Sequence, residues 1–225
     1  VYLLIGLYLF IPILGAWGRT ATKRQIEYVL IICGIATFVP YFHEFVATYV
    51  FGECEWNAFG TFYYFSGFSG YLLLGHYLVH YVRINPARDL TIGILGFALG
   101  AFISYKGFVY ITSLPSPAPE QTELFWLYTS PQVALASLAL FLLLRLIKFA
   151  PDGKIAKALQ NFSVCSFGVY MIHYFFVGPT YLWVEALHLP TALRIPLAAA
   201  LVLTLAWTVV AMIKHFYKRS EWLLG

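Results

Sequence analysis

Apolar residues run along this chain in long unbroken stretches with short polar punctuation between them. That is neither the alternation of a half-buried strand nor the narrow stripe of a surface helix. Seven stretches stand out, at 1–17, 26–48, 62–82, 90–111, 124–147, 161–177 and 193–213. Each is close to the roughly 20 residues that a helix needs to cross a bilayer core. The pattern predicts an all-α fold, a polytopic transmembrane bundle of about seven spanning helices, forming one integral-membrane domain over 1–225. Ser130 followed by Pro131 reads as an N-cap and first helical position, so the fifth helix is expected to start late. Gly178-Pro179 reads as the stop of the sixth helix. Pro12 and Pro40 fall inside stretches, where neighbouring helices can satisfy the freed carbonyls. A short amphipathic piece at 152–160, with Lys154 and Lys157, is expected along the headgroups. Gly96-xxx-Gly100 and Ser66-xxx-Gly70 predict faces where backbones approach closely.

Composition strengthens the membrane reading. Of 225 residues, 61% are hydrophobic and only 11% charged, against roughly 25% charged in a soluble domain. A soluble core of this length could not hide that much apolar surface, so the surplus faces lipid. The charges then set a topology. With the side reached after the first stretch taken as the inside, only Lys106 and Arg194 among the 14 basic residues fall outside. The remaining twelve, from Arg19 to Arg219, fall inside, as the positive-inside rule requires. The loops 51–61, 112–123 and 178–192 are then outside, the middle one Pro-rich and extended. The C-terminus is expected in the cytoplasm, with Val1 entering from outside. The net charge of +4 sits in those short clusters, so it implies no nucleic-acid partner. Asn161-Phe162-Ser163 matches a glycosylation sequon but falls on the cytoplasmic side. Cys33, Cys54 and Cys165 are well separated and form neither a disulfide framework nor a metal motif. The chain opens inside an apolar stretch without a charged lead-in, so the expectation is that it begins mid-protein.

Polar residues in such a background are costly and therefore informative. The central depth of the stretches holds no Asp or Glu, which argues against an ion-coupled transporter. Towards the outside lie His43, Glu44, Lys106 and His173, which together can line a polar pocket opening outward. His43 and Glu44 can equally be an interfacial pair in headgroup water, and Lys106 can simply snorkel. His173 can act as a base near neutral pH or satisfy a structural hydrogen bond. Its ring is expected to face the interior, within hydrogen-bond reach of another segment. On the inner side His76 and His80 share one helix face, with Arg83 following. They form either an interfacial polar stripe or a site for an anionic cofactor such as coenzyme A. A metal would need further ligands, and none is evident.

Three segments resemble a known family in order and spacing. Residues 5–12 (IGLYLFIP) are similar to the IGLYLLTP segment of the membrane acyltransferase 3 family. Residues 70–78 (GYLLLGHYL) resemble its GYFLLGYYL helix, and 166–173 (SFGVYMIH) its late S-x-G-I-Y-L-I-H helix. The resemblance implies a bacterial inner-membrane enzyme with a ten-helix core, of which this chain would supply the last seven. It implies transfer of an acetyl or other short acyl group from cytoplasmic acyl-CoA to a sugar hydroxyl of an envelope glycan or lipid-linked sugar, without a metal. Tyr8, Pro12, Gly70, Tyr71 and His173 occupy matching motif positions, and Tyr8 joins His43, Glu44 and Lys106 as a candidate substrate-binding residue. His76 stands where the family often has an aromatic residue. The family's essential Arg and His lie on a first helix not found here, so the catalytic residues stay unassigned and the 225-residue chain is expected to be inactive alone. Two other readings compete: a seven-helix receptor, which would want an extracellular N-terminal region and a Cys pair tying its outer loops, and a transporter or flippase without acyl transfer. An early helix carrying both Arg and His would decide for the enzyme.

Overall fold

The computed structural model describes residues 2–46, 52, 54, 59–150 and 152–216, with backbone alone at 2–5 and 120. Val1, positions 47–48 of the second stretch, most of the loop 51–61, and Lys218, Arg219 and Gly225 lie outside the described residues. Every regular element among the described residues is helical. Four helical stretches are long and apolar enough to cross a membrane: Lys23–Phe45, Pro86–Thr112, Lys154–Glu185 and Thr191–Phe216. Their surfaces carry large bare hydrophobics, such as Ile31 at 63% exposed and Leu95 at 65%. Water would not tolerate these together, but lipid does. The protein is a multi-pass membrane protein. The chain divides into two compact units, Val1–Lys148 and Phe149–Gly225.

In the first unit, α1 (Tyr2–Thr20) carries Pro12 inside it. Helix α2 (Lys23–Ala36) starts on a capping box: Gln25 N–H donates to Thr22 Oγ1, and Thr22 N–H donates back to Gln25 Oε1 at 2.8 Å. This satisfies two otherwise orphaned amides. The second stretch breaks where chemistry requires it. Pro40 lacks an N–H and its ring crowds the carbonyl four residues back, that of Ala36. Helix α2 ends at Ala36, and α3 (Val39–Phe45) starts with that proline in its first turn.

The count of seven full spans is not reached by length. The third stretch opens as a 3-10 turn (Gly60–Phe65) and becomes α4 (Phe68–His80) only after Gly67, whose φ of +87° ends one helix and starts the next. Such a φ suits glycine because no Cβ obstructs it. The fifth stretch turns irregularly from 124 to 130 before α7 (Pro131–Leu144) begins at the proline, as the Ser130-Pro131 pair predicts. The 13 residues of α4 and 14 of α7 are short of a bilayer core. An apolar run specifies burial or lipid contact, but it does not oblige every residue in it to be helical.

Helix α5 (Pro86–Thr112) anchors the unit. Its N-cap Asn85 accepts from Arg88 N–H, with Pro86 in the first turn. Gly93, Gly96, Gly100 and Gly107 are all buried. A Cβ at Gly96 would sit 3.2 Å from the Ala139 Cβ, and one at Gly100 would sit 2.6 Å from the Gln132 carbonyl oxygen. At Gly107 a Cβ would overlap the Phe125 ring. The glycine face therefore brings α5 and α7 into backbone contact, as its GxxxG spacing predicts. Gly70 does the same more gently against Cys33 of α2, at 3.2 Å. Between α5 and α7, the Pro-rich segment gives way to the single-turn helix α6 (Pro119–Glu123).

The second unit is a pair of long helices, α8 (Lys154–Glu185) and α9 (Thr191–Phe216). Its centre is Cys165 and Val169 against Ala206 and Val210, flanked by Ile172, Phe176 and Trp207. Trp207 Nε1 donates to Asn161 Oδ1 at 2.9 Å, so the sequon asparagine is a packing residue. Two sequence expectations are corrected in α8. Gly178-Pro179 does not stop it; Pro179 lies within the helix, which runs on to Glu185. Nor is 154–160 a separate surface helix, since those residues are its first turns. At about 1.5 Å per residue α8 is about 48 Å long, beyond a hydrocarbon core of about 30 Å. Its amphipathic start is an overhang in line with the span.

Candidate functional site

Two polar ends and one cavity in the first unit carry the chemistry. At the end where α2 begins and α4 finishes, Tyr77 donates to Glu27 Oε1 at 2.6 Å, and Lys23 lies 3.6 Å from the same oxygen. Around the helix from Tyr77 stand His76 and His80, ring centroids 4.4 Å apart and tilted by 45°. Tyr81 lies 6.3 Å from His76, and α1 passes the pair at Gly18. Arg83 is exposed; its carbonyl accepts from Arg88 at 2.7 Å.

Beside this face lies a buried ion cluster. Asp89, in the first turn of α5, is fully buried. Its Oδ1 accepts from Arg88 at 2.8 and 2.9 Å, its Oδ2 from Arg145 at 2.5 and 3.0 Å, and from the Asn85 amide at 3.2 Å. Arg145, just past α7, also donates to the carbonyls of Leu78 and Val82. One guanidinium thus ties the ends of α4 and α7 to the start of α5. With its oxygens saturated, the Asp89 carboxylate has a structural task.

At the other end Tyr41 of α3 donates to the Leu124 carbonyl at 3.1 Å, while Gln132 of α7 donates to the Tyr41 hydroxyl at 2.6 Å and to the Phe125 carbonyl. Glu44 accepts from Gln121 of α6 at 2.5 Å. The structure therefore brings Glu44, beside half-buried His43, to the α6 turn. Lys106 lies over Phe102 of its own helix, 6.0 Å from the ring centre, and Tyr8 is about half exposed on α1 at 53%.

The cavity lies where α2, the 3-10 turn, the start of α4 and the 129–134 segment meet, and encloses about 130 Å³. Tyr71 fixes one wall by donating to the Tyr128 carbonyl at 2.5 Å, and Phe68 stacks on Tyr128 with centroids 4.2 Å apart.

In the second unit, His173 is half-buried and lines a groove between α8 and α9 with Tyr170, Tyr181 and Ala199. Its Nδ1 lies 2.6 Å from the Tyr170 carbonyl. That partner is on its own helix, not on another segment as expected, because a ring in this position finds the carbonyl one turn back before anything else.

A family model described as an acyltransferase domain matches residues 1–213. The chain belongs to the acyltransferase 3 family. No curated protein and no solved structure matches it. The membership makes this acyltransferase a membrane enzyme and gives its polar ends a context.

Of the residues singled out from sequence, His76 and His80 come together as a pair, and Glu44 finds a partner on α6. Tyr8, Lys106 and Arg83 stand at the surface of their own segments. Sequence reasoning passed over Asp89, Arg145, Gln132 and Thr129. Asp89 carried one readable signal, since Asn85-Pro86-x-x-Asp89 is a helix-start pattern with an acid in the first turn. The other three are placed only by contacts 50 or more residues away in sequence, as Arg145 to Asp89 is at 56 and Gln132 to Tyr41 at 91.

Proposed function

We propose that this acyltransferase moves an acetyl or similarly short acyl group from cytoplasmic acyl-CoA to a sugar hydroxyl of a cell-envelope glycan or lipid-linked sugar, in the bacterial inner membrane. The carrying observation is the family match over residues 1–213. The arrangement of the first unit is compatible with it. His76, His80 and Arg83 occupy the end rich in Lys and Arg, where the phosphates of an anionic donor would be favoured. Glu44, His43, Tyr8 and Lys106 belong to the opposite side, where an acceptor hydroxyl would arrive, and His173 is a further acceptor-side candidate. Orientation follows the basic residues, with the C-terminus in the cytoplasm.

The test is transfer in membrane vesicles from cells that do or do not make the protein. Radiolabelled acetyl-CoA is supplied at the cytoplasmic face, and base-labile label is followed in the glycan fraction. Protein-dependent label is the expected result; its absence with acetyl-, propionyl- and butyryl-CoA alike sinks the reading. Arg83→Ala should raise the KM for acetyl-CoA about tenfold, equivalent to about 1.4 kcal/mol, with the acceptor KM unchanged.

A further inference from the structure

The cavity beside α4 has one polar group with nothing to do. Four hydroxyl side chains line it. Three are spent on backbone carbonyls: Thr37 on Gly34 at 2.6 Å, Ser66 on Tyr63 at 2.8 Å, and Tyr71 on Tyr128. The fourth, Thr129, is 5% exposed, and its Oγ1 has no hydrogen-bond partner. A buried hydroxyl left unpaired costs about 1–3 kcal/mol, and a cavity occupant can recover that. The segment holding Thr129 does not drift, because Tyr71 grips the residue before it and Ser130 bonds back to the Leu127 carbonyl.

A second feature of the same wall adds donors. Helix α4, 13 residues long, begins at Gly67 with no side-chain cap. Its first amides therefore lack intrahelical partners and open beside the cavity at Gly67 and Gly70. An occupant thus meets donors: these amides and, after a χ1 turn, the Thr129 O–H. It must present an acceptor. No Lys, Arg or His lines the space, so a full negative charge would go uncompensated. A neutral carbonyl oxygen fits. The remaining wall is apolar, with Leu30, Phe65, Leu74 and Ala134, so the carbonyl should carry a hydrocarbon tail. The volume admits roughly ten water-sized groups, about the size of a short acyl thioester end. A sugar ring is excluded by the shortage of free polar partners.

We propose that this cavity is a subsite for the acyl group itself, two to about four carbons long, with its carbonyl oxygen held by Thr129 and the α4 amides. The proposal rests on the acyl-transfer reading above and names the part of the donor that this wall selects. Thr129 binds the acyl carbonyl, and Cys33, facing Gly70, bounds the tail.

A photoreactive short acyl thioester, the 4,4-azipentanoyl ester of N-acetylcysteamine, tests it on the intact protein in its membrane without requiring turnover. Irradiation should place adducts on the peptides carrying Cys33, Leu74 or Ala134. Butyryl-N-acetylcysteamine should reduce them at least fivefold, and N-acetylcysteamine alone should not. Thr129→Val, which keeps the shape and removes the donor, should lower adduct yield about tenfold with an unchanged or higher melting temperature; Thr129→Ser should restore it. Adducts only elsewhere, no adducts, or a Thr129→Val yield equal to wild type each overturn the subsite. Competition by palmitoyl-N-acetylcysteamine as strong as by the butyryl ester also overturns it, and identifies the space as a lipid-tail groove. If adducts form here while no glycan is labelled in the vesicle assay, the proposed function fails and the subsite stands.

Discussion

Asp89 shows what one side chain can do in a membrane-facing fold. Its carboxylate is wholly buried and accepts from Arg88, Arg145 and the Asn85 amide. Removing one partner of such a cluster strands the other charge, which is why breaking a buried pair costs far more than the pair contributes. Asp89→Ala should therefore lower the melting temperature in detergent by several degrees and reduce the amount of protein in the membrane. The double variant Asp89→Leu/Arg145→Leu should recover much of the loss, because no charge is left unpaired. A double variant no better than the single one would mean that the Arg145 bonds to Leu78 and Val82, rather than the charge, hold the unit together. The pair His76 and His80 is a different case: the rings are 4.4 Å apart, and their partner belongs to the donor side of the proposed reaction.

Among the helices, α5 and α7 are coupled most closely, and the coupling depends on missing side chains. A methyl group at Gly100 would press on the Gln132 carbonyl, which is backbone and cannot swing aside. Gly100→Ala should destabilise by about 1–3 kcal/mol, the usual cost of overpacking. At Gly15 and Gly34 an added methyl would meet nothing within 4 Å, so the same change there removes only glycine's helix penalty. Those two substitutions should be neutral or stabilising by up to about 1 kcal/mol. Detergent denaturation of the three single variants measures the contrast; equal effects at Gly15 and Gly100 would refute close α5–α7 contact. The pair α8 and α9 is built otherwise, around Cys165, Val169, Ala206 and Val210, with small residues facing medium ones.

For the whole molecule the testable quantity is orientation. Twelve of the 14 basic residues fall on one side of the predicted topology, with only Lys106 and Arg194 opposite. A cysteine placed at Ser116, in the exposed segment before α6, should react with an impermeant maleimide from the periplasmic face of intact cells. Reaction only after permeabilisation would invert the topology. The helical class, the membrane environment, the late start of α7 and the packing role of the glycines could all be read from the chain. Each follows from local chemistry: hydropathy over about 20 residues, a proline at a first helical turn, or a four-residue glycine spacing. The three motif segments pointed to the family for a similar reason, because they are contiguous runs. The lengths of α4 and α7 and the continuity of α8 through Pro179 were not legible, because an apolar run says which residues avoid water and leaves open how their backbone is satisfied. Tertiary structure alone decided that Asp89 meets Arg145 and that Tyr41 meets Gln132. It alone left the Thr129 hydroxyl unpaired on a cavity wall. Those outcomes depend on chain segments far apart in sequence coming together, and no local pattern encodes which buried polar group will find a partner.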